Sequence, residues 1–204
     1  MMVYAYNTIK SVSEGFYKEK GSKFIAKAFP AATVGEVQEI LDALRKEYHD
    51  ARHHCYAYQL EPDASLYRAN DDGEPNHSAG DPILGQIRSL ELTNTLVVVI
   101  RYFGGTKLGV SGLINAYKTA AAEALAKARV IRVAVRQAVE FHFSYPETNE
   151  VMKLIGKYEV KVSQQHFEIN CSVKGKIPLH HLETMTSEVE LLNKLGKKIS
   201  LKID

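Results

Sequence analysis

Arg101 and Lys107 stand on either side of Gly104-Gly105, and Gly109 and Gly112 follow within the next turn of chain. Two cations around a glycine-rich turn suit a phosphate or carboxylate. Small residues let backbone N–H groups approach closely, and the cations fix the charge. The segment is not a P-loop, because G-x-x-x-x-G-K-[ST] is absent, and Gly104-Gly105-x-x-x-Gly109 does not match G-x-G-x-x-G. A second reading stays open: the glycines serve only tight turns and close helix–sheet packing.

His53-His54-Cys55 and Asp71-Asp72-Gly73-Glu74-Pro75 are the other candidates. A Cys–His nucleophilic pair needs an adjacent base and an electropositive setting. Neighbouring strand positions point to opposite faces, so His54 and Cys55 do not naturally meet. A metal site would draw on the histidines, His77, Asp71, Asp72 or Glu74, although no H-x-x-x-H spacing supports it. The plain alternative makes Cys55 a small buried residue. The acidic block either orients cations such as Arg52 and Arg101 or forms a solvated turn with Gly73 at positive φ. Lys194, Lys197, Lys198 and Lys202 read as helix-end charge and a solvated strand edge, or as a nucleic-acid surface.

These residues need elements to hold them. Leu96-Val97-Val98-Val99-Ile100 is an unbroken β-branched run, as expected of a strand buried on both faces. The glycine segment follows, then a helix with Leu113, Ile114, Tyr117, Ala121, Ala124, Leu125 and Ala128 on one face, opening where its first N–H groups have no partner. Upstream, short strands cover Tyr4 to Phe29, with a turn at Lys20-Gly21-Ser22. Thr33-x-x-Glu36 forms a capping box before an amphipathic helix carrying Val37, Ile40, Leu41 and Leu44. The segment Glu61 to Pro82 reads as a long polar loop, with Asp81 capping a further helix and Pro82 at its first position.

From Gln137 the order becomes β-α-β-β-α-β, the ferredoxin-like arrangement of a sheet with two helices on one face. Val139, Phe141, Phe143 and Tyr145 mark its first strand, Val160 and Val162 the second, and Phe167 to Val173 the third. The joint falls near Ile131 to Arg136, giving domains 1–133 and 134–204 and an α+β class.

The chain has 204 residues, 45% of them apolar, and a net charge of +2. That supports a folded core and permits, without demanding, nucleic-acid contact. Two cysteines far apart argue against a disulfide framework or a cysteine-rich zinc site. Met1 to Lys10 lacks a signal-peptide core and no apolar run spans a membrane, so the expected compartment is the cytoplasm, without membrane association.

The blocks are more specific in combination. Ser22-Lys23-Phe24-Ile25, Ala51-Arg52-His53-His54-Cys55, Asp72-Gly73-Glu74-Pro75 with Ala79-Gly80-x-Pro82, and Arg101-Tyr102-Phe103-Gly104-Gly105-x-Lys107-Leu108-Gly109 with Gly112-Leu113 and Ala116-Tyr117 occur in this order. The chain resembles the IMPACT family in its bacterial, YigZ-type form, over nearly its whole length. It departs at Asn76-His77-Ser78, where small residues are usual, and at Ser111, which often is glycine. The resemblance implies a ribosomal-protein-like N-terminal domain, similar to the fourth domain of elongation factor G. It also implies a C-terminal domain similar to that factor's ferredoxin-like fifth domain. Eukaryotic relatives regulate translation initiation as binding proteins. Some bacterial relatives carry the label of proline dipeptidase, whose clustered metal ligands are not evident in this sequence.

The expectation is therefore a non-enzymatic regulator of translation that binds RNA, the ribosome or a translation factor, with no cofactor. Its surface would comprise Arg52, His53, His54, Arg101, Gly104, Gly105, Lys107, Gly109 and Gly112, with Asp71, Asp72, Gly73 and Glu74 ordering the cations from beneath. On that view, alanine at Arg101 and Lys107 weakens binding and leaves the melting temperature nearly unchanged. The alternatives are a metal-assisted enzyme acting on a phosphorylated small molecule and a protein-only interaction module.

Overall fold

The computed structural model describes residues 2–203. The chain is α+β and forms two compact units: Tyr6–Val133, and residues 134–203 together with residues 2–5.

In the first unit, β2 (Ser13–Glu19), β3 (Ser22–Pro30), β4 (His53–Leu60), β5 (Leu66–Asn70) and β6 (Thr95–Tyr102) form an antiparallel sheet in the order β2-β3-β6-β4-β5. The central strand is β6, and helices cover both of its faces. Helix α1 (Val34–Glu47) packs Val37, Leu41 and Leu44 on Tyr56, Tyr58, Leu96, Val98 and Ile100. On the opposite face, α2 (Gly80–Ser89) and α3 (Gly109–Ala126) cover Phe24, Cys55, Ala57, Val97 and Val99. Period-two alternation therefore sends the odd and even residues of β6 into two separate cores, which is why its sequence shows no polar face. The first strand, β1 (Ala5–Ile9), pairs with β7 (Val130–Ala134).

The start of α1 is capped as its sequence predicts: Thr33 Oγ1 accepts from the Glu36 N–H at 3.2 Å. The Glu36 carboxylate reaches back one residue further than the standard box, to the Ala32 N–H at 2.7 Å. Two local expectations fail. Leu66–Asn70 is an edge strand inside the supposed loop. Asp81 lies within α2 and does not cap it; Asp71 does that from across the chain, accepting from the Ala79 and Gly80 N–H groups at 2.9 and 2.8 Å. Both errors have one cause, since the strand exists by pairing with β4 and the cap comes from nine residues upstream of Gly80.

The second unit contains β8 (Arg136–Ser144), α4 (Thr148–Lys157), β9 (Lys161–His166), β10 (Asn170–Pro178), α5 (Leu182–Lys194) and β11 (Ile199–Ile203). Its antiparallel sheet runs β11-β8-β10-β9, the ferredoxin-like order. The helices pack Val151, Leu154, Met185 and Val189 on Val139, Phe141, Cys171 and Val173. Tyr145 falls in a 3₁₀ turn, and Phe167 and Ile169 lie in the β9–β10 connection, outside the strands expected to hold them.

Candidate functional site

The sheet register gathers the chemistry-bearing residues at one end of the first unit. Antiparallel pairing sets Lys23 opposite Tyr102 and His53 opposite Arg101, so the end of β6 meets the starts of β3 and β4. Here Gly104 touches the β2–β3 turn. A Cβ on Gly104 would lie 1.9 Å from the Gly21 carbonyl carbon, so only glycine permits this crossing.

The inward-pointing side chains form a buried network. Arg101, 6% exposed, donates from Nη1 to Glu74 Oε1 at 2.6 Å and from Nη2 to Ser22 Oγ at 3.4 Å. Its guanidinium lies over the rings of Phe24 and Phe103. Tyr117, fully buried on α3, donates its hydroxyl hydrogen to the same Glu74 oxygen at 2.7 Å. The Cys55 sulfur lies 3.3 Å from that hydroxyl and 2.9 Å from the Asp71 carbonyl. Glu74 is thus paired and hydrogen-bonded, as a buried charge requires.

Each remaining carboxylate of the acidic block is also committed. Asp72 Oδ2 accepts from the His54 N–H at 2.6 Å. Asp71 accepts from His77 N–H as well as from the first donors of α2. Burial raises the Asp71 carboxyl, and the hydrogen bonds from Gly80, His77 and Ala79 outweigh it, leaving the group below its usual range. Among the described residues, no cluster of three or more His, Cys, Asp and Glu side chains has the arrangement of a metal site.

The thiol is not a nucleophile in waiting. Burial pushes Cys55 well above its ordinary pKa, against a smaller lowering by the Tyr117 hydrogen bond. Burial also holds the Tyr117 hydroxyl protonated, with Cys55 and Glu74 adding to the effect. His54 sits on the other face of β4, 6% exposed, and burial lowers its pKa, so it is neutral near pH 7. His53 is half-buried; its Nδ1 lies 2.8 Å from the Asp72 carbonyl, which can only accept, so that nitrogen carries the hydrogen.

Residues 20–125 match the Impact N-terminal domain, a span that holds every residue of this network. A curated relative, IMPACT family member YvyE of Bacillus subtilis (strain 168), is 31% identical over 169 residues, 83% of this chain and 78% of its own length. The chain belongs to the IMPACT family. Another IMPACT family member, YigZ of Escherichia coli (strain K12), is 29% identical over 161 residues, 78% of this chain and 79% of that protein. A crystal structure of a hypothetical protein shares the fold, with a TM-score of 0.75 over 98% of this chain and 97% of that one at 23% identity.

In this IMPACT-family chain the expected surface divides. Arg52, Gly104, Gly105, Lys107 and Gly109 are exposed, and Gly112 is half-buried at the start of α3. Arg101 and His54 are interior and cannot serve as surface cations. Glu74 pairs with the buried Arg101 at 2.6 Å. Gly73 turns the loop at positive φ. Sequence reasoning missed Lys20, Lys23 and Phe103 as surface groups and Ser22 and Tyr117 as network members. Only the hairpin register, which brings residues 20–23 beside residues 101–104, could have revealed the first pair. No helix among the described residues is long and apolar enough to cross a membrane.

Proposed function

We propose that this protein is a cytoplasmic, translation-associated regulator that binds RNA, ribosomal RNA included, through the basic end of its N-terminal sheet. One observation carries this reading. Lys20, Lys23, Arg52 and Lys107 are exposed at the same end of the sheet, and none enters an ion pair among the described residues. The nearby carboxylates are held elsewhere: Glu19 and Asp50 accept from the Tyr17 and Tyr102 hydroxyls, Asp71 and Asp72 from backbone N–H groups, and Glu74 pairs with the buried Arg101. Unpaired cations around an exposed aromatic ring suit a phosphate backbone with accessible bases. The link to translation rests on the family resemblance. A metal-assisted enzyme finds less support, because Asp71, Asp72 and Glu74 already serve backbone N–H groups, Arg101 and Tyr117.

The test is binding of the purified protein to ribosomes and to a short RNA across a salt series. Engagement of all four cations gives a log–log slope of about −3, and each cation replaced by alanine reduces its magnitude by about 0.7. Partner capture that survives nuclease treatment, with no RNA bound at low salt, would replace this reading with a protein-only interaction.

A further inference from the structure

Beside the exposed cations lies a pocket of about 350 Å³, the size of a small-ligand site. Its interior is graded. The Phe103 ring, 56% exposed, forms one wall, and Leu108, Val110 and Leu113 supply an aliphatic floor. Glu74 marks the polar end. Its Oε1 is occupied by Arg101 and Tyr117, whereas its Oε2 takes no donor from the described residues. The Arg101 side chain also lines the pocket, and its buried Nε has no acceptor. Lys107 stands at the rim, and α3 begins there without a side-chain cap, leaving its first N–H groups without intrahelical partners.

The charges define the occupant. Glu74 is offset by Arg101 at 2.6 Å, so Lys107 and the positive end of α3 leave the pocket attractive to an anion. The occupant therefore has a flat body to lie on Phe103, a hydrogen-bond donor for Glu74 Oε2 and a negative group for Lys107. A nucleotide combines the three: a stacking base, an amino edge and a phosphate. We propose that this pocket holds one unstacked nucleotide of the bound strand and favours a base with an exocyclic amino group over uracil, whose only base donor, N3–H, lies between two carbonyl oxygens that would face the Glu74 carboxylate. The inference rests on the RNA reading above, and it adds base preference to a contact otherwise blind to sequence.

Labelled oligo(A), oligo(C) and oligo(U) RNAs titrated against the protein by fluorescence anisotropy test it. Phe103→Ala removes the stacking wall. Val110→Trp fills the pocket from a position 51% exposed, where the added ring leaves the core intact. The expected result is tighter binding of oligo(A) and oligo(C) than of oligo(U). Each substitution should weaken oligo(A) about tenfold, with the salt slope unchanged. Equal binding of the three strands, unaffected by either substitution, overturns the nucleotide pocket and leaves the basic surface standing. No binding of any strand at low salt overturns both.

Discussion

Replacing Arg101 with methionine leaves Glu74 as a charged carboxylate in the interior, its side chain only 4% exposed. Methionine keeps most of the volume beneath Phe24 and Phe103, so the loss is chiefly electrostatic. Breaking a buried pair by removing one partner costs about 3–5 kcal/mol, which in a unit of this size lowers the melting temperature by roughly 10 °C or more. Urea denaturation followed by far-ultraviolet circular dichroism reads the change. The double variant Arg101→Met with Glu74→Gln separates causes. Glutamine removes the stranded charge while its carbonyl oxygen still accepts from Tyr117, so the double variant should recover more than half of the loss. The remaining deficit would be about 1–2 kcal/mol, the scale of hydrogen bonds lost at Ser22 and Glu74. A single variant within 1 kcal/mol of the wild type, the outcome expected of a surface cation, would refute the buried-pair account. So would a double variant no better than the single one.

Three further outcomes follow from the same geometry. Gly104→Ala should destabilise by more than about 2 kcal/mol, because its Cβ meets the Gly21 backbone; Gly105→Ala, strained at φ +86 but facing open space, should cost only about 1 kcal/mol. Equal losses in the two variants would show that the close crossing is not the constraint. Asp71→Asn should cost about 1–2 kcal/mol near neutral pH. Because the folded carboxyl is held below its unfolded value of about 3.9, that stabilisation is complete above pH 4–5 and disappears as pH falls through the lower folded value. Urea titrations across this range should therefore see wild type and variant converge in acid, and a constant gap would count against the cap. Finally, a thiol reagent near pH 8 should find almost no reactive cysteine in the native protein and two after denaturation, since Cys55 and Cys171 are both buried; rapid native labelling of Cys55 would contradict its placement.

Elements with a local cause were legible in the sequence. The run 96–100 announced a strand buried on both faces, Thr33 and Glu36 announced the start of α1, and the element order after Gln137 announced a ferredoxin-like sheet. What escaped was whatever a distant partner decides. Leu66–Asn70 is 40% or more exposed at Leu66 and Tyr67 and has little apolar pattern of its own; β4 makes it a strand. Asp81 has the right chemistry beside Pro82 to cap α2, yet Asp71 arrives first because the loop folds back on itself.

The division of Arg101 from Lys107 is the same effect at the candidate site. Both read as cations flanking a glycine turn, and composition cannot tell them apart. Arg101 is still in β6, where alternation fixes its direction: Val97 and Val99 face the α2/α3 core, so Arg101 must follow them inward. Once inside it requires a carboxylate, and Glu74 is brought to it by a loop that Asp71 anchors to α2. Lys107 lies beyond the strand, where no pleat constrains it, and remains in solvent. Glu74 therefore neutralises the interior cation, while Lys20, Lys23, Arg52 and Lys107 stay exposed and form no ion pair among the described residues. That arrangement gathers unpaired exposed cations at one end of the sheet in a chain whose net charge is only +2.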